Sequence, residues 1–270
     1  MTIGSLFSGI GGLELGLERA GLGPVIWQAE QNPFRRDVLA RHWPDAMRFH
    51  RVEDVGHGTS PVDLICGGFP CQDISPAGTR KGITGPKSGL WTEFERVVSE
   101  LLPSWAVIEN NGHRWRAWVP HVRRALHALG YASLPFRLRA SDLGAWHQRA
   151  RIFLVANRKG ELGDLASRPG GIRGAAAEAV HATRARIPWA PADADDQGQL
   201  QPSWRLAECG RRLGDGSGRP IEPALARSLH GVPNRVDREA ALGDAVVPAC
   251  AEAVGRFVKA CCDMSEESPC

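Results

Sequence analysis

The residue whose surroundings most favour chemistry is Cys71, which follows two glycines, a phenylalanine and a proline in the stretch GGFPCQ. The apolar run Asp63–Cys66 precedes those glycines and has the pattern of a buried strand. Parallel sheets present reactive side chains at the carboxyl ends of their strands, where this order puts the cysteine. A thiolate is a strong nucleophile when its pKa is lowered. Most isolated cysteines are buried apolar residues, but the turn-forming neighbours of Cys71 favour a nucleophile.

Two further groups of polar residues adjoin apolar runs. Glu109 follows the run Trp105–Ile108, and its carboxyl group could donate or take a proton beside the nucleophile. Arg149 and Arg151 adjoin a later run and are two positions apart, so they point to the same side of a strand. Their guanidinium groups could hold a phosphate or a base carbonyl.

A glycine-rich loop near the N-terminus is the third candidate. The stretch FSGIGG, Phe7–Gly12, follows a strand and opens a helix. Glycines allow a tight turn and a close approach to a ligand, and the helix N-terminus offers free N–H groups. Glu30 ends the second predicted strand about 20 residues later, where dinucleotide sites have a ribose-binding carboxylate. Asp54, near the end of a third predicted strand, could hold an adenine amino group. The alternative for the loop is a tight turn without a ligand.

The elements that position these residues are short apolar runs alternating with amphipathic stretches. Helical patterns lie near residues 35–42, 91–102 and 119–129. Strands that alternate with helices predict an α/β fold with a doubly wound, mostly parallel sheet. The predicted strands are Thr2–Phe7, Val25–Ala29, Val62–Cys66, Trp105–Ile108 and Ile152–Val155, and Val246–Val258 is predicted as a final helix.

Composition and charge restrict the class of protein. A chain of 270 residues with 43% hydrophobic residues is enough for one large α/β domain and argues against disorder. Seven cysteines without a metal-type CxxC pair favour a reduced cytoplasmic chain. The sequence has neither a run of about 18 apolar residues nor a secretory signal pattern, so we expect no membrane association. Residues 110–160 carry ten Arg and Lys against one acid, which suits either a polyanionic partner or a solvated surface with counter-charges folded nearby.

Taken in order, the motifs resemble the signatures of the cytosine-5 DNA methyltransferase family. That family carries FxGxGG, a PCQ loop, ENV, QxRxR and GNxVxP, and this chain has FSGIGG, GGFPCQDIS, ENN, HQRAR and GDAVVP. The segment KSGLW, with Glu93 and Arg96, is similar to the family's stretch between the cysteine and glutamate motifs. The resemblance covers residues 2–157 and 232–258. Three positions depart from the family's pattern, with Asn111 for Val, His147 for Gln and Asp244 for Asn.

The resemblance implies a fold and a reaction. The fold is that of S-adenosylmethionine-dependent methyltransferases, with a small loop-rich recognition insert. Cys71 would attack carbon 6 of a cytosine flipped out of double-stranded DNA. Glu109 would protonate or hydrogen-bond ring N3, while Arg151 would hold the base O2 and Arg149 nearby groups. The methyl group would pass from S-adenosylmethionine to carbon 5 before Cys71 leaves by elimination.

The resemblance also implies which residues bind the cofactor. Phe7 would pack on the adenine, Glu30 would bind the ribose and Asp54 the adenine amino group. Asp244 lacks the donor of the family's Asn, and its charge could oppose the cofactor's carboxylate or favour its ammonium and sulfonium groups. The lost donor and the repulsion from the carboxylate act in the same direction, so Asp244→Asn is expected to tighten binding. The matching positions are Phe7, Ser8, Gly9, Gly11, Gly12, Glu30, Asp54, Pro70, Leu90 and Asp244.

In the resembled family the target recognition region lies between the last two signatures. We therefore expect a catalytic and cofactor-binding domain over residues 1–157, a target recognition region over 158–235 and a C-terminal helix within 236–270 that completes the catalytic domain. The implied partners are double-stranded DNA, bound by a monomer, and a cognate restriction endonuclease. The candidate DNA contacts are Gln72, Ser75, Trp189, Trp204, Arg205, Arg211, Arg212, Arg219, His230, Asn234 and Arg235.

Three alternatives stay open from the sequence. An RNA cytosine methyltransferase would share the architecture. A catalytically silent DNA-binding relative is suggested by the three departures, although Cys71 and Glu109 are both present. A nucleotide-dependent dehydrogenase would account for the glycine loop and Glu30 but leaves the cysteine loop unexplained.

Overall fold

One mixed sheet forms the centre of the protein. The computed structural model describes residues 1–69, 89–112, 115–145, 147–167, 170–186 and 235–266. Its strands are β1 (Ile3–Leu6), β2 (Val25–Ala29), β3 (Met47–Phe49), β4 (Leu64–Gly68), β5 (Trp105–Asn111), β6 (Ala132–Leu138) and β7 (Arg151–Asn157). Within the described residues they form a seven-stranded sheet in the order β3-β2-β1-β4-β5-β7-β6.

The strand order produces a switch point beside β1. β1 pairs in parallel with β2 and with β4, β2 pairs with β3, and β4 pairs with β5. β7 runs antiparallel between β5 and β6. The crossover connections therefore diverge from the boundary between β1 and β4, and ligands of open α/β sheets bind at the carboxyl ends of strands at such a point. The doubly wound, mostly parallel sheet confirms the predicted fold class.

Helices cover both faces of this sheet. Along β5, Trp105 and Val107 join one buried apolar cluster, and Ala106 and Ile108 join the other. Burial on both faces explains why the predicted strands are continuous apolar runs. The helices are α1 (Gly12–Arg19), α2 (Pro33–His42), α3 (Gly89–Leu101), α4 (Trp115–Ala128), α5 (Glu161–Ser167), α6 (Gly171–Arg184), α7 (Arg235–Asp244) and α8 (Pro248–Glu266), with 3-10 turns at Val52–Asp54 and Ala140–Leu143.

The C-terminal helix α8 packs closely on α1, and glycines permit the approach. A Cβ atom on Gly16 of α1 would lie 2.3 Å from the Pro248 carbonyl oxygen and 2.4 Å from the Ala251 Cβ. A Cβ on Gly255 of α8 would lie 2.7 Å from the Ala20 Cβ. Helix α8 is thereby fixed beside α1, the helix that the glycine loop opens.

Part of the segment predicted to be loop-rich is helical. Helices α5 (Glu161–Ser167) and α6 (Gly171–Arg184) lie in it and pack against α8. In α6, Ile172, Ala176, Ala179 and Thr183 follow helical spacing and face the core, with Ala179 and Thr183 buried. Alanines supply most of this apolar stripe, so composition alone suggests a low-complexity segment. The domain boundary at residue 158 stays a prediction, but the helices show that the body of the domain continues to Arg184.

Other boundaries also differ from those predicted. β6 was not predicted as a strand, and it lies at an edge of the sheet and contains Pro135, which edge strands tolerate. Asp54 lies in a 3-10 turn after β3 instead of at a strand end. The final helix begins at Pro248 and continues to Glu266, whereas Val246–Val258 was predicted.

In the part of the chain that the structure describes, no helix has the length and apolar character needed to cross a membrane.

Replacement of glycine by alanine is expected to have opposite effects at Gly16, where α1 packs on α8, and at Gly174, which has open space in α6. We expect Gly16→Ala to lower the free energy of unfolding by about 1–3 kcal/mol, because the new methyl group overlaps the α8 backbone. Gly174→Ala in α6 meets nothing within 4 Å. It is expected to raise that free energy by about 0.5–1 kcal/mol through helix propensity. Urea unfolding of both variants measures the difference, and a stabilised Gly16→Ala protein would contradict the packing.

Candidate active site

A cavity of about 580 Å³ opens at the carboxyl ends of β1, β2, β4 and β5. Its volume is in the range of small-molecule and cofactor sites. The wall is built by the loop between β1 and α1, the turn after β2, the ends of β4 and β5, and the segment that joins α7 to α8. From the predicted set, the residues on this wall are Phe7, Ser8, Gly9, Gly12, Glu30, Leu90, Glu109, Arg151 and Asp244.

The remaining predicted residues lie away from this wall or outside the described part of the chain. Gly11, Asp54 and Arg149 are described and lie elsewhere. Arg235 begins α7. The predicted residues that fall outside the described ranges are Pro70, Cys71, Gln72, Ser75, Trp189, Trp204, Arg205, Arg211, Arg212, Arg219, His230 and Asn234.

The three glycines of the loop serve different purposes. Gly9 has a φ of 61°, and a Cβ there would meet nothing within 4 Å, so the loop leaves space open to the cavity. Gly11 has a φ of 85°, and its Cβ would come 2.2 Å from the Trp43 ring. A Cβ on Gly12 would lie 2.3 Å from the Val246 carbonyl oxygen. Gly9 is thus the glycine that suits ligand approach, whereas Gly11 and Gly12 allow protein packing.

Glu30 is held in place by the backbone on either side of it. Its Oε2 accepts a hydrogen bond from the Gly9 N–H at 2.8 Å, and its Oε1 accepts one from the Asn32 N–H at 2.8 Å. The residue is buried at the end of β2, and its carboxylate lines the cavity. Each carboxylate oxygen keeps a further lone pair, so the fixed group can accept hydrogen bonds from a diol.

A second carboxylate on the wall is Glu53, one residue before the predicted Asp54. Asp54 is exposed on the 3-10 turn, whereas Glu53 and Val52 line the cavity. A hydrogen bond from Arg51, at 3.0 Å between Nη2 and Oε1, lowers the pKa of Glu53. Glu53 therefore stays ionised at the place where the sequence suggested Asp54, whose adenine role stays a prediction.

The end of β5 and the start of β7 bring a buried carboxyl group and a guanidinium group together. The Arg151 Nε lies 2.8 Å from the Glu109 Oε1, and the Glu109 side chain is only 9% exposed. Burial raises the pKa of Glu109 to about 7, because desolvation outweighs the attraction of Arg151 and Arg149. Gly68 at the end of β4 makes room for this carboxyl group, since a Cβ there would lie 2.7 Å from its Oε2. Glu109 can therefore hold or release a proton near neutral pH.

Asn110 connects this pair to the chain that leads to Cys71. Its side-chain Nδ2 donates a hydrogen bond to the Phe69 carbonyl oxygen at 3.0 Å, and both residues are buried. Phe69 is two positions before Cys71 in the sequence. The contact fixes the entrance to the cysteine loop next to Glu109.

Arg149 binds the backbone between α7 and α8, although the sequence suggested that it points to the same site as Arg151. Its Nη2 donates hydrogen bonds to the carbonyl oxygens of Gly243 at 2.6 Å and Ala245 at 2.5 Å. The residue itself has a positive φ of 26°. Arg149 therefore positions the segment that carries Asp244 and closes one side of the cavity.

Asp244 forms an ion pair across the mouth of the cavity. The Arg35 Nη2 in the first turn of α2 lies 2.5 Å from the Asp244 Oδ2 at the end of α7. Both side chains line the cavity. The residue that departs from the family's Asn therefore has a cationic partner, which the sequence analysis did not identify.

Glu14 is a further carboxyl group that sequence reasoning missed. It lies in α1, is fully buried and lines the floor of the cavity beside Ser5 and Ser8. Burial raises the pKa of Glu14, and nearby Ser5, Ser8 and Gln28 offset this only in part. The signal for its burial is its position between Leu13 and Leu17, on the side of α1 that faces the sheet.

Known proteins resemble the chain in sequence and in fold. The family model for C-5 cytosine-specific DNA methylase matches residues 1–181. Type II methyltransferase M.AquIA of Picosynechococcus sp. is 32% identical over 179 residues, which cover 58% of this chain and 72% of that protein. Type II methyltransferase M2.BsuMI of Bacillus subtilis is 33% identical over 165 residues, and the match covers 58% of this chain but 42% of that protein's length.

One solved structure matches nearly the whole chain. It is a protein described as a DNA modification methyltransferase encoded within a prophage of E. coli, with a TM-score of 0.61 and 19% sequence identity. The match covers 97% of this chain and 99% of that one. At this identity the likeness concerns the fold.

The burial of Glu14 predicts a pH-dependent effect on stability. Because its pKa is raised in the folded protein, the folded state keeps a proton that the unfolded state releases as the pH rises above about 4.5. The free energy of unfolding of the wild-type protein thus falls between pH 4.5 and the raised pKa of the folded state. Glu14→Gln has no carboxyl group to titrate and avoids this loss. We expect the variant's unfolding midpoint to rise relative to wild type between pH 5 and pH 8.

The matched control is Glu178→Gln on the exposed side of α6, which removes the same charge without changing a buried group. Its offset from wild type is expected to be independent of pH over this range. If the unfolding midpoints of wild type and Glu14→Gln changed with pH in parallel, the pKa of Glu14 would be the same in the folded and unfolded states.

Proposed function

Because the chain belongs to the C-5 cytosine-specific DNA methylase family, we propose that it transfers a methyl group from S-adenosylmethionine to carbon 5 of a cytosine flipped out of double-stranded DNA. In this proposal Cys71 forms a transient covalent bond to carbon 6 of the base. The main support is the buried pair Glu109 and Arg151, which lies beside the end of β4, the strand that leads to Cys71. A cytosine enters this site only after it leaves the base stack.

The residues around the glycine loop fit the cofactor. The cavity is large enough for a nucleoside with an amino-acid arm. Glu30, fixed by the Gly9 and Asn32 amides, accepts hydrogen bonds from the ribose hydroxyls, while Phe7 and Leu90 supply apolar wall. When bound, S-adenosylmethionine supplies an electrophilic methyl group on a sulfonium. The open space at Gly9 lets the backbone approach the cofactor closely.

Glu109 and Arg151 stabilise the charge that attack at carbon 6 places on the cytosine ring. Glu109 donates its proton to N3, and Arg151 donates a hydrogen bond to O2 while it offsets the carboxylate left behind. A pKa of about 7 allows Glu109 to be protonated before attack and ionised after it. Arg149 acts through the backbone of Gly243 and Ala245, as a positioning residue for the cavity wall.

Cys71 supplies the electron pair that makes carbon 5 reactive. Formation of the bond between Cys71 Sγ and carbon 6 converts the ring to an enamine, which is nucleophilic at carbon 5. After the methyl group has bonded to carbon 5, a base removes the proton there. The carbon 5–carbon 6 double bond then re-forms as N3 returns its proton to Glu109, and Cys71 leaves as the thiolate.

We assign target recognition to residues 187–234, a narrower segment than the 158–235 expected from the sequence. The reason is that α5 and α6 pack on α8 as part of the catalytic body. The Type II relatives support a role in a restriction–modification pair, with a cognate endonuclease as the functional partner. The basic stretch 110–160, with Arg116, Arg123 and Arg124 exposed on α4, could contact the phosphate backbone.

The covalent step predicts a trapped complex. Duplex DNA of random sequence in which 5-fluorodeoxycytidine replaces deoxycytidine should form a denaturation-resistant adduct with the protein when S-adenosylmethionine is present. Fluorine cannot leave as a cation, so elimination of Cys71 is blocked. Cys71→Ser is expected to form no adduct and to lose methyl transfer, because a serine hydroxyl is far less nucleophilic without a strong base.

Denaturing electrophoresis with labelled DNA measures the adduct. A wild-type protein that methylates DNA yet gives no adduct would rule out covalent catalysis. An adduct that persists in Cys71→Ser would assign the nucleophile to another residue.

The raised pKa of Glu109 predicts a pH limb in the rate of methyl transfer. The protonated fraction of Glu109 falls as the pH rises through about 7, so the single-turnover rate at saturating DNA should gain a declining limb above that pH. Glu109→Gln cannot transfer a proton and should be slower by about 100-fold or more at pH 7. The ratio of the wild-type rate to the variant rate should therefore fall between pH 6 and pH 9. A constant ratio would mean that Glu109 does not act as the acid.

A further inference from the structure

The ion pair between Arg35 and Asp244 lies on a part of the cavity wall to which the proposed reaction gives no role. Glu30 fixes the ribose end of the cavity, and Glu109 with Arg151 fixes the reacting end. The proposed function leaves the amino-acid arm of the cofactor without a binding group on this wall. Arg35 and Asp244 line the same cavity, between the turn after β2 and the segment after α7.

We infer, on the basis of the proposed function, that Arg35 binds the carboxylate of the cofactor's amino-acid arm and that Asp244 orients Arg35 and binds the ammonium group. The pair offers one cation and one anion to a zwitterion. A guanidinium has five N–H donors in a planar fork, and the contact with Asp244 uses Nη2. The fork can therefore bind a carboxylate without losing Asp244.

The other cations on the described part of the wall are already engaged. Arg51 donates Nε and Nη2 to Glu53, and Arg151 faces Glu109 at 2.8 Å. Arg35 is 20% exposed in its side chain, so its charge is screened less than that of a surface arginine. Arg51 is 67% exposed and Arg151 lies at the reacting end, so Arg35 is the partly buried cation that this part of the wall offers to an incoming anion.

The ion pair between Arg35 and Asp244 adds little to the stability of the fold, because the Asp244 side chain is 69% exposed. Its position is nevertheless fixed from both sides. Asn32 caps α2 by accepting a hydrogen bond from the Arg35 N–H at 3.1 Å, and Arg149 holds the carbonyl oxygens of Gly243 and Ala245 on either side of Asp244. A fixed, partly exposed ion pair at the mouth of a cavity is suited to ligand recognition.

This inference reverses the expectation that Asp244→Asn tightens cofactor binding. That expectation assumed an uncompensated negative charge facing the cofactor's carboxylate. Since Arg35 neutralises that charge at 2.5 Å, removing it leaves Arg35 without its orienting partner and removes the anion for the ammonium group. Asp244→Asn is now expected to weaken binding.

Calorimetric titration with S-adenosylmethionine and with its decarboxylated form, which lacks only the carboxylate, tests the inference. Arg35→Gln is expected to weaken S-adenosylmethionine about 10-fold or more while changing the affinity for the decarboxylated form less than about two-fold. Asp244→Asn should weaken both forms, because both carry the ammonium group. Arg41→Gln, in the last turn of α2 with an exposed side chain, is the matched control and should leave both affinities unchanged.

The outcomes separate this inference from the proposed function. Loss of the preference for the carboxylated form in Arg35→Gln but not in Arg41→Gln, with an unchanged unfolding midpoint, supports it. Equal weakening of both forms, or no change in either, overturns it, because Arg35 would then only hold α2 against α7 or have no role in binding. Failure of the wild-type protein to bind S-adenosylmethionine overturns the proposed function itself.

Discussion

The burial of Glu109 beside Arg151 is the interaction on which the rest of the site depends. A carboxyl group at the end of a central strand loses most of its hydration, and an arginine 2.8 Å away offsets only part of the cost. The antiparallel β7 makes this possible, since its register places Arg151 opposite Asn111, two positions beyond Glu109 on β5. A parallel strand would require a further crossover to return beside β5. The reversed strand is therefore the feature that brings a guanidinium group beside the buried carboxyl group.

The C-terminal part of the chain completes the cavity through backbone contacts. Gly12 accepts the close approach of the Val246 carbonyl, and Gly16 lets α8 lie directly on α1. Arg149, next to β7, donates hydrogen bonds to the backbone where α7 connects to α8. Three regions far apart in sequence thus fix the same wall. This arrangement explains why Gly12 serves packing while Gly9 leaves space for a ligand.

Much of the fold could be predicted from the sequence because β1, β2, β4 and β5 are buried on both faces and appear as continuous apolar runs. β6 could not, since it lies at an edge, is mostly half-buried and includes Pro135. Helix α6 was hidden by an apolar stripe made largely of alanine. In the site, residue type and spacing placed Glu30, Glu109 and Arg151 on one wall. They could not pair Arg35 with Asp244, 209 positions away, nor direct Arg149 to a backbone segment instead of the cavity. Glu14 escaped notice because a glutamate in the first turn of a helix usually faces solvent.

The most direct test of the central claim is to identify the methylated nucleoside. The protein would be incubated with unmethylated duplex DNA of random sequence and S-adenosylmethionine labelled in its methyl group, and the DNA digested to nucleosides for mass spectrometry. We predict label in 5-methyldeoxycytidine, with none when Cys71→Ser replaces the wild-type protein or when transfer RNA replaces the DNA. Label in N4-methyldeoxycytidine or N6-methyldeoxyadenosine, or label found only in RNA, would contradict the account.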